Sequence, residues 1–162
     1  MAKDVSLAKE LHHVKMARTL ELLEEEPEMA LKLLKELKDP AKLEELMEMF
    51  EQKGVRDVVR YRIAGAFGII LGTMGEKEKP LFYDLRARVV SLLEKTVSDK
   101  NEDYKVRRTA AAALGVIGDQ ESASVLSKLL KDTEENPLIT EEAAWAYQRI
   151  SIISAGAPMS GL

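Results

Sequence analysis

Apolar residues recur along most of this chain at steps of three and four, a spacing that places side chains on one face of an α-helix. The first such stripe runs from Leu7 to Leu23, and Pro27 interrupts it. Further stripes of the same kind predict helices near residues 29–37, 40–53, 56–71, 80–98, 104–117, 120–131 and 138–152. Strand-like alternation bounded by turns does not occur. The pattern therefore predicts an all-α fold of about eight helices.

Local start and stop signals support these helix boundaries. Asp39 precedes Pro40, which is the order expected of an N-cap residue followed by proline at the first helical position. Gly54 is a C-terminal stop signal, and Asp119 is placed to cap the helix that begins at residue 120. The connections are short, so neighbouring helices are expected to be antiparallel.

Three segments of the chain resemble one another, at residues 59–70, 106–117 and 139–150. The first two share identical residues at five equivalent positions, namely Val59, Arg60, Ala64, Ala66 and Gly68 in the first and Val106, Arg107, Ala111, Ala113 and Gly115 in the second. The small residues allow adjacent copies to approach closely. Each helical hairpin alone leaves an apolar side uncovered, and we expect the next hairpin to cover it.

The segment from Val106 to Asp119, followed by apolar pairs at 125–126 and 129–130, resembles the HEAT-like repeat first described in phycobilisome lyases. The resemblance is looser over 55–98 and partial over 139–150. It implies a short right-handed α-solenoid of HEAT-like helical hairpins, of the armadillo type, with the second helix of each hairpin on the concave side. The implied single domain, 1–162, divides into an N-terminal capping helix (1–26), a degenerate repeat (27–54), two repeats (55–100 and 104–132), a terminal half-repeat (138–153) and a tail (154–162).

Composition narrows the classes of protein. The chain has no cysteine, which excludes disulfides and thiolate metal sites. No apolar run approaches the roughly 18 residues of a membrane span, and no secretory pattern is present at residues 1–4. We therefore expect a cytoplasmic protein without membrane association. The scarcity of Asn and Gln beside abundant Glu and Lys is a hint of a thermophilic source.

Candidate catalytic and metal sites are weak. His12 and His13 are adjacent, and neighbouring helical side chains point about 100° apart, so the two imidazoles do not share a face. The glutamate clusters lie on polar helix faces, and no serine, histidine and acid set has the context of a catalytic triad. These observations predict no enzyme activity, no cofactor and no metal.

The arginines offer two interpretations. Residues 55–118 hold 12 basic and 8 acidic residues within a chain of net charge −4, and seven of the nine arginines lie there. Arg60 and Arg107 occupy equivalent repeat positions and could pair with acids such as Asp99 or Asp119. Alternatively, the arginines form a basic strip that grips phosphate or an acidic peptide. The strip would contain Arg60, Arg62, Arg86, Arg88, Arg107 and Arg108.

Trp145 occupies a position where the other copies carry Gly65 and Ala112. The ring either caps the core at the end of the stack or is an exposed anchor for a partner. The last helix is expected to be unpaired, which would leave apolar surface behind it. We therefore expect either a homodimer through the C-terminal end or a surface covered by the tail.

A protein-interaction scaffold is the favoured function, with a protein partner bound on the concave surface formed by helices near 40–53, 80–98 and 120–131. The predicted contact residues are Tyr83, Arg86, Arg88, Arg62, Arg108 and Trp145. The alternative is a nucleic-acid-binding module that uses the arginine-rich middle segment. A third option, a lyase-like role on a chromophore protein, follows only from the family named by the resemblance.

Overall fold

The computed structural model describes residues 2–52 and 54–156, and this part of the chain is all-helical. Its eight α-helices confirm the predicted number and the all-α solenoid class. They are α1 (Ala2–Glu25), α2 (Pro27–Leu37), α3 (Pro40–Glu51), α4 (Asp57–Gly72), α5 (Tyr83–Ser98), α6 (Tyr104–Ile117), α7 (Gln120–Lys131) and α8 (Pro137–Ser154). A 3-10 turn, Lys79–Phe82, precedes α5. The proposed covering tail falls mostly outside the described residues.

Side-chain caps fix several helix starts. The Asp39 carboxylate accepts a hydrogen bond from the backbone N–H of Ala41, with Pro40 at the first position of α3. Asp119 caps α7 and forms a reciprocal capping box with Ser122. Both caps were predicted from sequence, because a short acceptor side chain before a helix satisfies amides that have no intrahelical partner.

Helices α4, α6 and α8 lie side by side and run parallel. Gly65 faces Thr109, Gly68 faces Ala113 and Gly72 faces Val116, so residue numbers rise together along the α4–α6 contact. A Cβ atom on Gly68 would lie 3.3 Å from the Ala113 Cα, and one on Gly115 would lie 2.9 Å from the Ala146 Cα. The same repeat position therefore makes both close backbone approaches. We call the outer surface of α4, α6 and α8 the first-helix face.

A second row of helices, α3, α5 and α7, covers the other side of this stack. Helix α5 packs more extensively on α6 than on α4, and α7 likewise packs extensively on α8. Helix α8 is therefore not unpaired, contrary to the expectation from sequence, and its apolar residues Ile139, Ala143, Ala146 and Ile150 are buried. The predicted division of the domain into repeats and a half-repeat stays a prediction.

Helix α1 is attached to the stack in two different ways. Met16 and Leu20 of its second half are buried in the core. Its first half is linked to α3 by polar contacts, in which Lys9 pairs with Glu48 at 2.9 Å and His12 with Glu45 at 2.8 Å. Across the helices of the described residues, none combines the length and apolar character needed to cross a bilayer.

Candidate functional site

Two arginines on the first row of helices make the same set of contacts. The Arg60 guanidinium donates to the Glu102 carboxylate at 2.6 and 2.8 Å and to the Phe50 carbonyl at 2.9 Å. The Arg107 guanidinium donates to the Glu135 carboxylate at 2.8 and 2.7 Å and to the Val97 carbonyl. Each arginine thus joins the end of the preceding helix to the loop before the next first-row helix.

The acid partners differ from those suggested by the sequence. Asp99 accepts a hydrogen bond from the Asn101 amide in its own turn, and Asp119 caps α7, so both carboxylates are occupied locally. Glu102 and Glu135 instead lie directly before the cap residues of α6 and α8. The interpretation of Arg60 and Arg107 as structural ion-pair residues is therefore confirmed, with Glu102 and Glu135 as the corrected partners.

The Arg107–Glu135 pair predicts an acid-dependent loss of stability. The Arg107 guanidinium, together with Lys100 and the Asn136 amide, lowers the pKa of Glu135 to about 2, against the opposing effect of burial. Because this pKa is lower in the folded state, the stabilisation is present above the unfolded-state pKa of about 4.3 and is lost as pH falls towards 2. Urea denaturation across this range should show the loss. A Glu135→Gln variant should be less stable at neutral pH and should depend less on pH; equal slopes would contradict the assignment.

Three more of the arginines named from the sequence, Arg62, Arg86 and Arg88, are also engaged within the chain. Arg62 donates to Glu24 at 2.9 Å, and Arg88 donates to both oxygens of Glu44 at 2.6 and 3.2 Å. The Arg86 guanidinium donates to the Leu71 and Ile117 carbonyls at the ends of α4 and α6. These contacts offset much of the positive charge on which the basic-strip interpretation depends.

The six predicted contact residues do not share one surface. Arg62, Arg108 and Trp145 border depressions on the first-helix face. Tyr83, Arg86 and Arg88 all lie on α5, in the second row. Tyr83 is 70% exposed there, whereas Arg86 is half-buried.

Trp145 lies on the first-helix face with 43% of its surface exposed. The Arg149 guanidinium stacks over the indole at 4.7 Å, and the ring edge lies beside Gly115. Trp145, Ile69 and Val116 line one apolar depression of about 320 Å³. Ile69 and Val116 were not selected from the sequence, although they occupy the same position in two repeats. Their recurrence outside the apolar stripe that forms the core was the signal that could have identified them.

This depression continues into two others. One, of about 230 Å³, extends between α4 and α1 and includes Arg62. The second, of about 470 Å³, extends towards the start of α6 and includes Tyr61, Tyr104 and Arg108. All three are lined in part by Thr109, so they form one continuous irregular surface across the first row of helices.

Comparison with known proteins agrees with this architecture. Residues 69–148 match the family model described as HEAT repeats. Neither curated proteins nor solved structures give a match to the chain. HEAT repeats generally serve as protein-interaction scaffolds, and the family is typically non-enzymatic. The side-by-side packing of α4, α6 and α8 agrees with this match, which identifies HEAT repeats over residues 69–148 of the chain.

Proposed function

We propose that this protein is an interaction module that binds a protein partner through the first-helix face. The observation that carries the proposal is the exposure of Trp145, Ile69 and Val116 around one depression, with exposed fractions of 43%, 44% and 37%. Contiguous apolar surface rimmed by polar residues is typical of interaction sites, and tryptophan is enriched among the residues that dominate binding energy.

The floor of the depression supports this use of the surface. A Cβ atom on Gly65 would meet only the Thr109 Cγ2 at 3.6 Å, an ordinary contact, so helix packing does not require glycine at this position. The missing side chain leaves space in the depression one helical turn before Ile69. An apolar side chain of a partner can enter that space and bury the Trp145 ring.

The second-helix surface, predicted from sequence as the concave binding surface, has less support. Arg88 is held by Glu44, and Arg86 bonds the ends of two helices. Binding there would have to break or bypass these contacts, so that surface remains a prediction. The paired arginines also leave less free positive charge for binding nucleic acid. Nucleic-acid binding is therefore one of the outcomes that the following experiment distinguishes.

A capture experiment compares a Trp145→Ala variant with a matched Tyr83→Ala variant. Both remove an exposed aromatic side chain, one from each surface. Truncating a dominant contact costs about 2 kcal/mol of binding, about 30-fold in affinity, so Trp145→Ala should lose partners that Tyr83→Ala retains. Captured proteins are quantified from nuclease-treated lysate, and circular dichroism checks that both variants fold.

The reverse result would locate binding on the second row and contradict the proposal. Loss of all capture after nuclease treatment would instead favour nucleic-acid binding. Equal capture by the wild type and both variants would show that neither aromatic residue is a binding anchor.

A further inference from the structure

We propose that the depression beside Arg108 receives an acidic peptide segment of the protein partner, with an apolar side chain against its aromatic wall and a carboxylate on Arg108. This Arg108 pocket is formed by Tyr61, Tyr104, Lys105, Arg108, Leu138 and Glu142, with smaller residues between them. The inference rests on the proposed function and names the chemistry of the partner at one part of the first-helix face.

The shape of the pocket suits a side chain of a peptide. Its volume is about 470 Å³, and three helices contribute to it: α4 through Tyr61, α6 through Tyr104, and α8 through Leu138. Tyr104 is 42% exposed and Leu138 is 39% exposed, whereas Tyr61 is half-buried against the core. An aliphatic or aromatic side chain placed here would bury apolar surface that water now contacts.

Arg108 differs from the other acid-paired arginines of the described residues. Its Nε atom lies 3.5 Å from the Glu142 carboxylate, beyond the usual hydrogen-bonding distance, whereas each of the other acid-paired arginines has at least one carboxylate contact between 2.6 and 2.9 Å. Its terminal nitrogens donate to no other group in residues 2–52 and 54–156. The side chain of Arg108 is 48% exposed, so its planar guanidinium can donate two parallel hydrogen bonds to the carboxylate of a partner.

The charges around the pocket favour an acidic occupant. Lys105 and Arg108 supply two positive charges to its lining, and Glu142 is the acid beside them. Both basic residues lie in the first turns of α6, where the helix dipole adds to the positive potential. A basic peptide would meet repulsion from both residues, whereas a carboxylate gains from both.

A peptide fits this pocket better than a nucleic-acid backbone. The walls are aromatic and aliphatic, and the two basic residues sit together rather than along a track. Glu141 is exposed and Glu142 borders the pocket, so both carboxylates would repel a run of successive phosphates. One or two carboxylates next to an apolar side chain match the arrangement without that repulsion.

Selection from a library of displayed linear peptides on the purified chain tests the inference. Peptides that pair Asp or Glu with a nearby aromatic or aliphatic residue should be enriched. A selected peptide, labelled for fluorescence anisotropy, should bind the Arg108→Glu variant at least about tenfold more weakly. The control Lys128→Glu makes the same charge change at an exposed lysine on α7 and should bind as the wild type does. Oligothymidylate, a single-stranded nucleic acid, is measured in the same assay as the alternative ligand.

Enrichment of Lys or Arg, absence of any enriched pattern, or acidic peptides that bind equally to the Arg108→Glu variant would each overturn the inference. Oligothymidylate that binds more tightly than the peptides and is lost in the same variant would overturn it in favour of nucleic acid. A natural partner lost with Trp145→Ala but retained with Arg108→Glu would leave the proposed function standing and remove the Arg108 pocket from it. Melting curves establish that the variants are folded.

Discussion

Replacement of Arg107 by alanine is expected to lower the free energy of unfolding by about 3–5 kcal/mol, the usual cost of removing one partner from a buried ion pair. Arg107 is 4% exposed, and the Glu135 side chain is 2% exposed. The substitution removes both hydrogen bonds that Arg107 donates to the Glu135 carboxylate and leaves the Val97 carbonyl without a side-chain donor. Urea denaturation at neutral pH, followed by circular dichroism, measures the loss.

The next residue along the chain provides the control. Arg108→Ala removes the same side chain from an exposed position 3.5 Å from its acid and should cost less than about 1 kcal/mol. An Arg107→Met, Glu135→Leu double variant should be more stable than Arg107→Ala, because it leaves no buried charge unpaired. If Arg107→Ala and Arg108→Ala lose equal stability, the ion pair does not hold the repeats together.

Alanine at Gly115 is expected to destabilise the stack by about 1–3 kcal/mol, the usual range for overpacking a close contact. The new Cβ atom would lie 2.9 Å from the Ala146 Cα and 3.1 Å from the Trp145 Cζ3. The nearest of these atoms is backbone, so α6 and α8 must separate. Thermal unfolding monitored by circular dichroism should show a lower midpoint.

Alanine at Gly65 should have the opposite effect on the stability of the fold. Its Cβ atom would meet only the Thr109 Cγ2 at 3.6 Å, and alanine in a helix is favoured over glycine by about 1 kcal/mol. Gly65→Ala should therefore raise the midpoint or leave it unchanged. If Gly65→Ala lowers the midpoint as much as Gly115→Ala does, then the close approach of two backbones at Gly115 does not explain the difference expected between these two glycines.

The candidate site was only partly predictable. Trp145 and Arg108 were selected from sequence, because one is a large ring at a small-residue position and the other lies in the basic middle segment. The structure places both residues on the first-helix face, whereas Tyr83, Arg86 and Arg88 lie on α5 in the second row. Ile69 and Val116 were missed because the recurrence of an apolar residue beside the core stripe does not by itself distinguish an exposed side chain from a buried one.

The sequence by itself determined the helices, the caps at Asp39 and Asp119, and the equivalence of Arg60 with Arg107, because periodicity, capping and repetition are local properties of the chain. Only the tertiary structure decided that Glu102 and Glu135 receive these arginines and that α7 covers α8. It also decided which glycines meet backbone. Such contacts join segments about 30 to 45 residues apart in the sequence. They therefore depend on how the helices pack against one another rather than on any pattern within one helix.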